Sequence, residues 1–203
     1  WVDLFAIPDN RAALNLTAGR SVAVIDRKGN GSYGLFVANY GGPMRLYELD
    51  EDGRLQDNAP DAGLDHVTGG RSAAALPIVS DRVDIYAGNE NGPNFLFRNN
   101  GDGTFTEVAS HLDIDDPEEH ARGIAFLDLD QDGRFDLVLG NWEGPHRLYR
   151  QEASGLWRNV ATPAFSAPSR VRTVVAADFD NDGYDEIFFN NIGEPNRLFR
   201  AME

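Results

Sequence analysis

The sequence predicts an all-β fold built from four copies of one antiparallel meander, and three observations predict it. The first is internal repetition. "RSVAVIDRKGNGSYGLFVANYGGPMRLY", "RSAAALPIVSDRVDIYAGNENGPNFLF", "RGIAFLDLDQDGRFDLVLGNWEGPHRLY" and "RTVVAADFDNDGYDEIFFNNIGEPNRLF" begin at Arg20, Arg71, Arg122 and Arg172, 50 or 51 residues apart. Each holds an Asn-x-x-x-Pro step, at Asn39/Pro43, Asn89/Pro93, Asn141/Pro145 and Asn191/Pro195. The second is composition within a unit, where short β-rich runs alternate with Asp/Gly and Gly-Pro clusters. The third is the lack of any sustained 3.6-residue apolar period, which argues against long helices.

Taken in order, a unit opens with a strand such as "GIAFLD", turns through an acidic loop, returns through "FDLVLGN", turns at the Asn-x-x-x-Pro step and continues through "HRLYR". A fourth strand follows a hairpin turn, clearest in "NNGDGTFTEVA", and is expected to start at Leu55, Phe105 and Trp157, 12 residues after each proline. Four strands in about 50 residues match one blade of a β-propeller. The expected blades are residues 18–62, 69–112, 120–163 and 170–203, within a single domain spanning 1–203. The fourth repeat stops one strand short, and "WVDL" resembles "WRNV" of the third, so an N-terminal strand over residues 1–6 is expected to complete the fourth blade and close a four-bladed ring. The alternative is an arc of a larger propeller. Leu46, Leu96, Leu148 and Leu198 occupy one repeat position and are expected in the core.

Eighteen basic groups against 33 acidic ones give a net charge of −15, which repels phosphate backbones and anionic lipid. Nucleic acid is not an expected partner, and no apolar run is long enough for membrane insertion as a helix. No cysteine is available for disulfides or thiolate metal sites. There is no Gly-x-Ser-x-Gly elbow, phosphate loop or nucleophile–base pairing, so no catalytic residue is expected.

The acidic loops carry the strongest chemical signal. "DLDQDGRFD" places Asp128, Asp130 and Asp132 at positions 1, 3 and 5, the carbonyl of Arg134 at 7 and Asp136 at 9. The fourth repeat supplies Asp178, Asp180, Asp182, the carbonyl of Tyr184 and Glu186, with Gly133 and Gly183 at position 6. Calcium takes six to eight oxygens in a flexible geometry, which alternating aspartates around a turn glycine can provide. Aspartate and glycine are also ordinary turn formers, which explains one or two carboxylates but not three or four. An EF-hand would need Glu at position 12, occupied here by Leu139 and Phe189. Two structural calcium ions are therefore expected, one in each loop. The first repeat has Lys28 at position 3 and Gly34 at 9, and the second has Pro77 at position 1, so neither is expected to bind calcium.

The blocks "DxDxDGxxD" and "NxxGPxRLYR", with the phrases "GRSVAVIDRKG", "NENGPNFLFRNNGDGTF", "GNWEGPHRLY" and "VRTVVAADFDND", resemble the FG-GAP or VCBS calcium-binding propeller repeat, in the integrin-α-like form of the cartilage acidic protein or ASPIC–UnbV-type family. That resemblance implies a calcium-binding, non-catalytic adhesion, recognition or scaffold module at an extracellular, secreted or cell-surface location, periplasmic or on the outer surface in a bacterium. The rival readings are a propeller enzyme acting on polysaccharide and a self-assembling structural subunit. A protein or glycan partner is expected on the face opposite the calcium loops, through Tyr40, Trp142 and Asp115, with self-association a further expectation. The bland reading of Trp142 is packing between blades. The arginine that opens each first strand is expected to hold neighbouring blades together, the alternative being an anion-binding ring around the axis.

Overall fold

The computed structural model describes residues 1–13 and 18–201. The described chain is all-β with few, short helices. The first meander comprises β1 (Ala18–Ile25), β2 (Gly34–Pro43), β3 (Arg45–Leu49) and β4 (Leu55–Asp57), and the second β5 (Val67–Leu76), β6 (Asp84–Asn89), β7 (Phe95–Asn99) and β8 (Phe105–Glu107). The third comprises β9 (Ala121–Leu127), β10 (Asp136–Asn141), β11 (Arg147–Gln151) and β12 (Trp157–Asn159). Three strands, β13 (Val171–Ala177), β14 (Glu186–Asn191) and β15 (Arg197–Phe199), form the fourth among the described residues. Pairing between β2 and β5, Tyr40 opposite Gly69 and Pro43 opposite Val67, joins the first two meanders into one sheet. Two single-turn helices follow the first and third meanders, α1 (Ala59–Ala62) and α2 (Pro163–Ser166), the latter capped by Thr162 Oγ1 accepting from Phe165 N at 3.2 Å.

Contacts divide the chain into two compact units, Trp1–Ala87 with Leu96–Val108, and Gly88–Phe95 with Ala109–Glu203. In the first, Phe36 meets Phe97 edge-on at 6.5 Å between ring centroids, and His66 lies 5.4 Å from Phe97. In the second, Leu127, Val138 and Leu148 of the third meander pack with Val174, Ile187 and Phe189 of the fourth and with Phe165 of α2. Glycine permits this approach: a Cβ on Gly123 would lie 2.7 Å from the backbone nitrogen of Val174.

Residues 1–6 do not form the expected strand. Leu4–Ala6 is a 3-10 turn, with the Asp3 side chain accepting from Phe5 N at 3.0 Å. Phe5 sets its ring edge-on to Tyr47 of β3 at 5.2 Å, and Asn10 Oδ1 accepts from Leu55 N of β4 at 2.9 Å. The aspartate favours a local turn over an extended chain, and the segment docks on the outer strands of the first meander instead of completing the fourth. Leu46, Leu96 and Leu148 are buried as expected, but Leu198 is 59% exposed. No helix among the described residues is long and apolar enough to cross a membrane.

Candidate metal centres

Both acidic loops join the first strand of a meander to its second. In the third meander, Asp128 Oδ1 accepts from Asp132 N at 3.0 Å and Oδ2 from Gly133 N at 2.9 Å. In the fourth, Asp178 accepts from Asp182 N at 3.1 Å and Gly183 N at 3.0 Å. Position 6 needs its glycine, with φ of 85° at Gly133 and 91° at Gly183. The first meander builds the same turn around Asp26, which accepts from Asn30 N at 3.2 Å and Gly31 N at 2.7 Å. The position-1 aspartate is thus a turn former in all three loops, and metal ligation has to be argued from the other positions.

Those positions gather into two clusters, each residue offering a ligand atom within 4.8 Å of the others: Asp128, Asp130 and Asp136 in one, Asp178, Asp180 and Glu186 in the other. Either could hold a metal ion. The position-5 aspartates lie outside them. Asp132 accepts from Arg134 N at 2.9 Å and pairs with the Arg134 guanidinium, while Asp182 accepts from Tyr184 N at 2.9 Å and Arg200 Nη2 at 2.9 Å. The Tyr184 amide bond, with the Arg200 guanidinium behind it, holds the Asp182 carboxyl below the usual carboxylate range. Gln131 Nε2 donates to Gly183 O at 2.7 Å and ties the two loops together.

Position 9 differs between the loops. Asp136 is buried, with Oδ2 accepting from Leu129 N at 2.8 Å and Oδ1 from Gln151 N at 2.7 Å, which pins the loop to β11. Burial pushes its carboxyl up, opposed by those amide bonds, and the nearby Asp130 and Asp128 charges add to the rise. In the second meander Asp84 does the same work, accepting from Ile78 N, Val79 N and Ser80 N at 2.8–3.1 Å and from Asn99 N at 2.8 Å. Glu186, 3% exposed, has Oε2 accepting from Phe179 N at 2.9 Å, whereas its buried Oε1 has no hydrogen-bond partner. A buried carboxylate oxygen without a donor is costly, and it lies beside two more carboxylates.

The third strands set the charge around each loop. Arg150 Nη1 lies 3.9 Å from Asp130, and Arg200, at the same repeat position, 3.3 Å from Asp180. In the first meander the polarity is reversed. Its loop carries Arg27 and Lys28, and β3 supplies Glu48, which accepts from Arg27 Nε and Nη2 at 2.8 Å each. That loop balances its charge internally.

The Asn-x-x-x-Pro step is a clamp. The Asn39, Asn89, Asn141 and Asn191 Nδ2 groups donate to Pro43, Pro93, Pro145 and Pro195 carbonyls at 2.6–3.0 Å. The residue five positions after the asparagine then accepts its backbone N–H: Asn94 Oδ1 at 2.8 Å, His146 Nδ1 at 3.1 Å and Asn196 Oδ1 at 2.8 Å. Sequence reasoning passed over these acceptors, although Asn, His and Asn at one repeat position were the available signal.

The family model of the FG-GAP-like repeat matches residues 81–139 and 128–189, more than half of the chain. The chain belongs to the FG-GAP-like repeat family. Both acidic clusters fall within the matched FG-GAP-like segments. Over its whole length the chain is 47% identical, across 224 residues, to cartilage acidic protein 1 of Homo sapiens, and over 99% of it 48% identical, across 223 residues, to that of Xenopus tropicalis. It spans about a third of either relative, 34% in both cases. A solved structure of a candidate exo-beta-1,3-galactanase from Bifidobacterium bifidum s17 overlaps 87% of this chain and 65% of its own, at 13% identity and a TM-score of 0.48.

The residues expected to meet a partner are distributed unevenly. Trp142 is half-buried beneath the Arg122 guanidinium, 4.3 Å from its ring centroid, and Arg122 also pairs with Glu90. Asp115 is half-buried, with its carbonyl accepting from Asn94 N at 2.7 Å, and its neighbour Asp116 is buried against Asn141 Nδ2 at 2.7 Å and Arg147 Nε at 2.9 Å. Tyr40 keeps an exposed ring, with Arg71 at 4.7 Å and Arg20 at 5.6 Å from its centroid.

Proposed function

We propose that the chain is a calcium-stabilised module of the propeller kind that serves recognition or scaffolding outside the cell and performs no catalysis. The observation that carries this reading is the Glu186 carboxylate, buried with one oxygen unpartnered beside Asp178 and Asp180. The donor set is all oxygen and anionic, which suits a hard divalent cation. Asp130 provides a ligand free of backbone amide bonds and Asp180 one that accepts from Asp182 N at 3.2 Å, with the carbonyls of Arg134 and Tyr184 expected to complete the oxygen shell. Calcium would neutralise the clustered carboxylates and fasten each first hairpin. The extracellular setting is supported by similarity to proteins named for cartilage and by the calcium available there. For a protein or glycan partner, the ring of Tyr40 between two guanidiniums offers the most accessible of the three expected positions. The test is thermal melting with and without calcium: a ligand at 100 times its dissociation constant adds about 2.7 kcal/mol per site, so a melt unchanged by calcium or chelator refutes the reading.

A further inference from the structure

The first meander carries the charges of its loop in exchanged places. Two residues after the repeat leucine, the second, third and fourth meanders have Arg98, Arg150 and Arg200, whereas the first has Glu48. After the position-1 aspartate, the third and fourth loops have Leu129 and Phe179, whereas the first has Arg27. At position 9, where the other loops have Asp84, Asp136 and Glu186, the first has Gly34, and a Cβ there would lie 2.8 Å from Glu48 Cγ. The carboxylate that the other meanders take from their second strand thus comes, in the first, from β3 into the room that the glycine leaves.

The cation of the exchanged pair is covalently built in. Arg27 grips Glu48 with two parallel bonds, Nε and Nη2 at 2.8 Å each, the strong form of a guanidinium–carboxylate pair. Its Nη1 donates to Gly103 O in the β7–β8 hairpin at 2.5 Å, and its carbonyl accepts from Asn99 Nδ2 of β7 at 3.0 Å. One side chain therefore fastens the loop, the third strand and the neighbouring hairpin. The Arg27 side chain is 9% exposed, against 38% for Arg150 and 64% for Arg200. The second meander has no need of a cation, because the buried Asp84 carboxylate is met by backbone amides and by Ser80 Oγ at 2.8 Å. In the third and fourth meanders three carboxylates converge with only an exposed arginine at the rim, and like charges so placed repel until they are neutralised.

We propose that Arg27 takes the place of the metal ion in the first meander, so that calcium controls the third and fourth meanders alone while the first and second hold their hairpins without it. This rests on calcium binding at the two acidic clusters and adds a regulation to it. Falling calcium loosens the third and fourth meanders, which lie in one compact unit, and spares the first two.

Hydrogen exchange of the intact chain in calcium and after chelation, with calcium titration calorimetry in parallel, tests this. After chelation, amides in residues 121–141 and 171–191 should exchange about 100-fold faster, the protection that a ligand at 100 times its dissociation constant adds where opening releases it. Amides in residues 18–43 and 67–89 should keep their rates. Arg27→Gln should speed exchange in 18–43 and 99–105 by about tenfold or more, equally in calcium and in chelator, with two ions still bound. Calcium binding with all four hairpins loosened alike by the chelator overturns the proposal and leaves the calcium reading standing, whereas no calcium binding overturns both. An Arg27→Gln chain whose first hairpin is unchanged, or is restored by calcium, also overturns it.

Discussion

His146 lies stacked on Phe189, ring centroids 4.7 Å apart and planes 26° from parallel, linking the clamp of the third meander to the core of the fourth. The imidazole is fully buried, accepts from Asn141 N through Nδ1 and meets Ser169 Oγ at 2.9 Å through Nε2. Burial, helped by the Arg197 charge, lowers its pKa to about 4.

Stability should fall on acidification because of this residue. Above the unfolded value of about 6.5 the imidazole is neutral in both states; between there and about 4 only the unfolded chain takes the proton, so folding loses about 1.4 kcal/mol per pH unit, about 3 kcal/mol in all. His146→Asn installs the acceptor that Asn94 and Asn196 use in other meanders. Urea unfolding from pH 7 to pH 4 should show a shallower decline in the variant. Equal slopes would place the pH dependence elsewhere.

The Arg27–Glu48 pair should behave as a buried ion pair whose halves depend on each other. Burial works to raise the Glu48 carboxyl, but hydrogen bonds from Arg27 and Asn58 outweigh it and leave the group below its usual range. Arg27→Met and Glu48→Leu should each cost about 3 kcal/mol by leaving the other residue buried without its charge partner, and the double change should cost less than either single one. Chemical unfolding of the three variants measures the difference; a double variant that is the sum of the singles contradicts the pairing.

Arg200 should compete with a metal ion at the fourth-meander loop. It pairs with Asp180, which belongs to the acidic cluster, and with Asp182 beside it. Arg200→Gln is expected to tighten calcium binding there by about two- to fivefold, the scale of an exposed ion pair, and calcium titration of the variant checks it.

Much of the fold was legible because turn chemistry and strand periodicity repeat. The fourth strands begin at Leu55, Phe105 and Trp157, where spacing from the prolines put them. The acidic clusters were legible for the same reason, since alternate aspartates around a glycine leave few arrangements. What the sequence concealed depends on contacts. "WVDL" resembles a strand, yet Asp3 turns the chain and Phe5 finds Tyr47. Leu198 occupies a core position, but burial requires a neighbour. Asp132 and Asp182 have the spacing of ligands, yet arginines claim them. In the sequence Trp142 and Asp115 read as partner-binding positions, and the contacts of each were not legible there: Trp142 lies beneath Arg122, and the Asp115 carbonyl accepts from Asn94 N.

Glu186→Gln separates ligation from packing, because the amide retains an acceptor for Phe179 N while losing the charge beside Asp178 and Asp180. Calcium affinity at that loop should drop by an order of magnitude or more, with about 1 kcal/mol or less lost in metal-free stability. A large loss of metal-free stability with affinity intact would make Glu186 a packing residue only.

Calcium titration calorimetry of the chelator-stripped chain tests the central claim most directly. Two ions should bind, Asp130→Asn should remove one and Asp180→Asn the other, since the first meander balances its charge through Arg27 and Glu48 and the second commits Asp84 to backbone amides. An absence of binding heat, or a stoichiometry that neither substitution changes, would contradict the account.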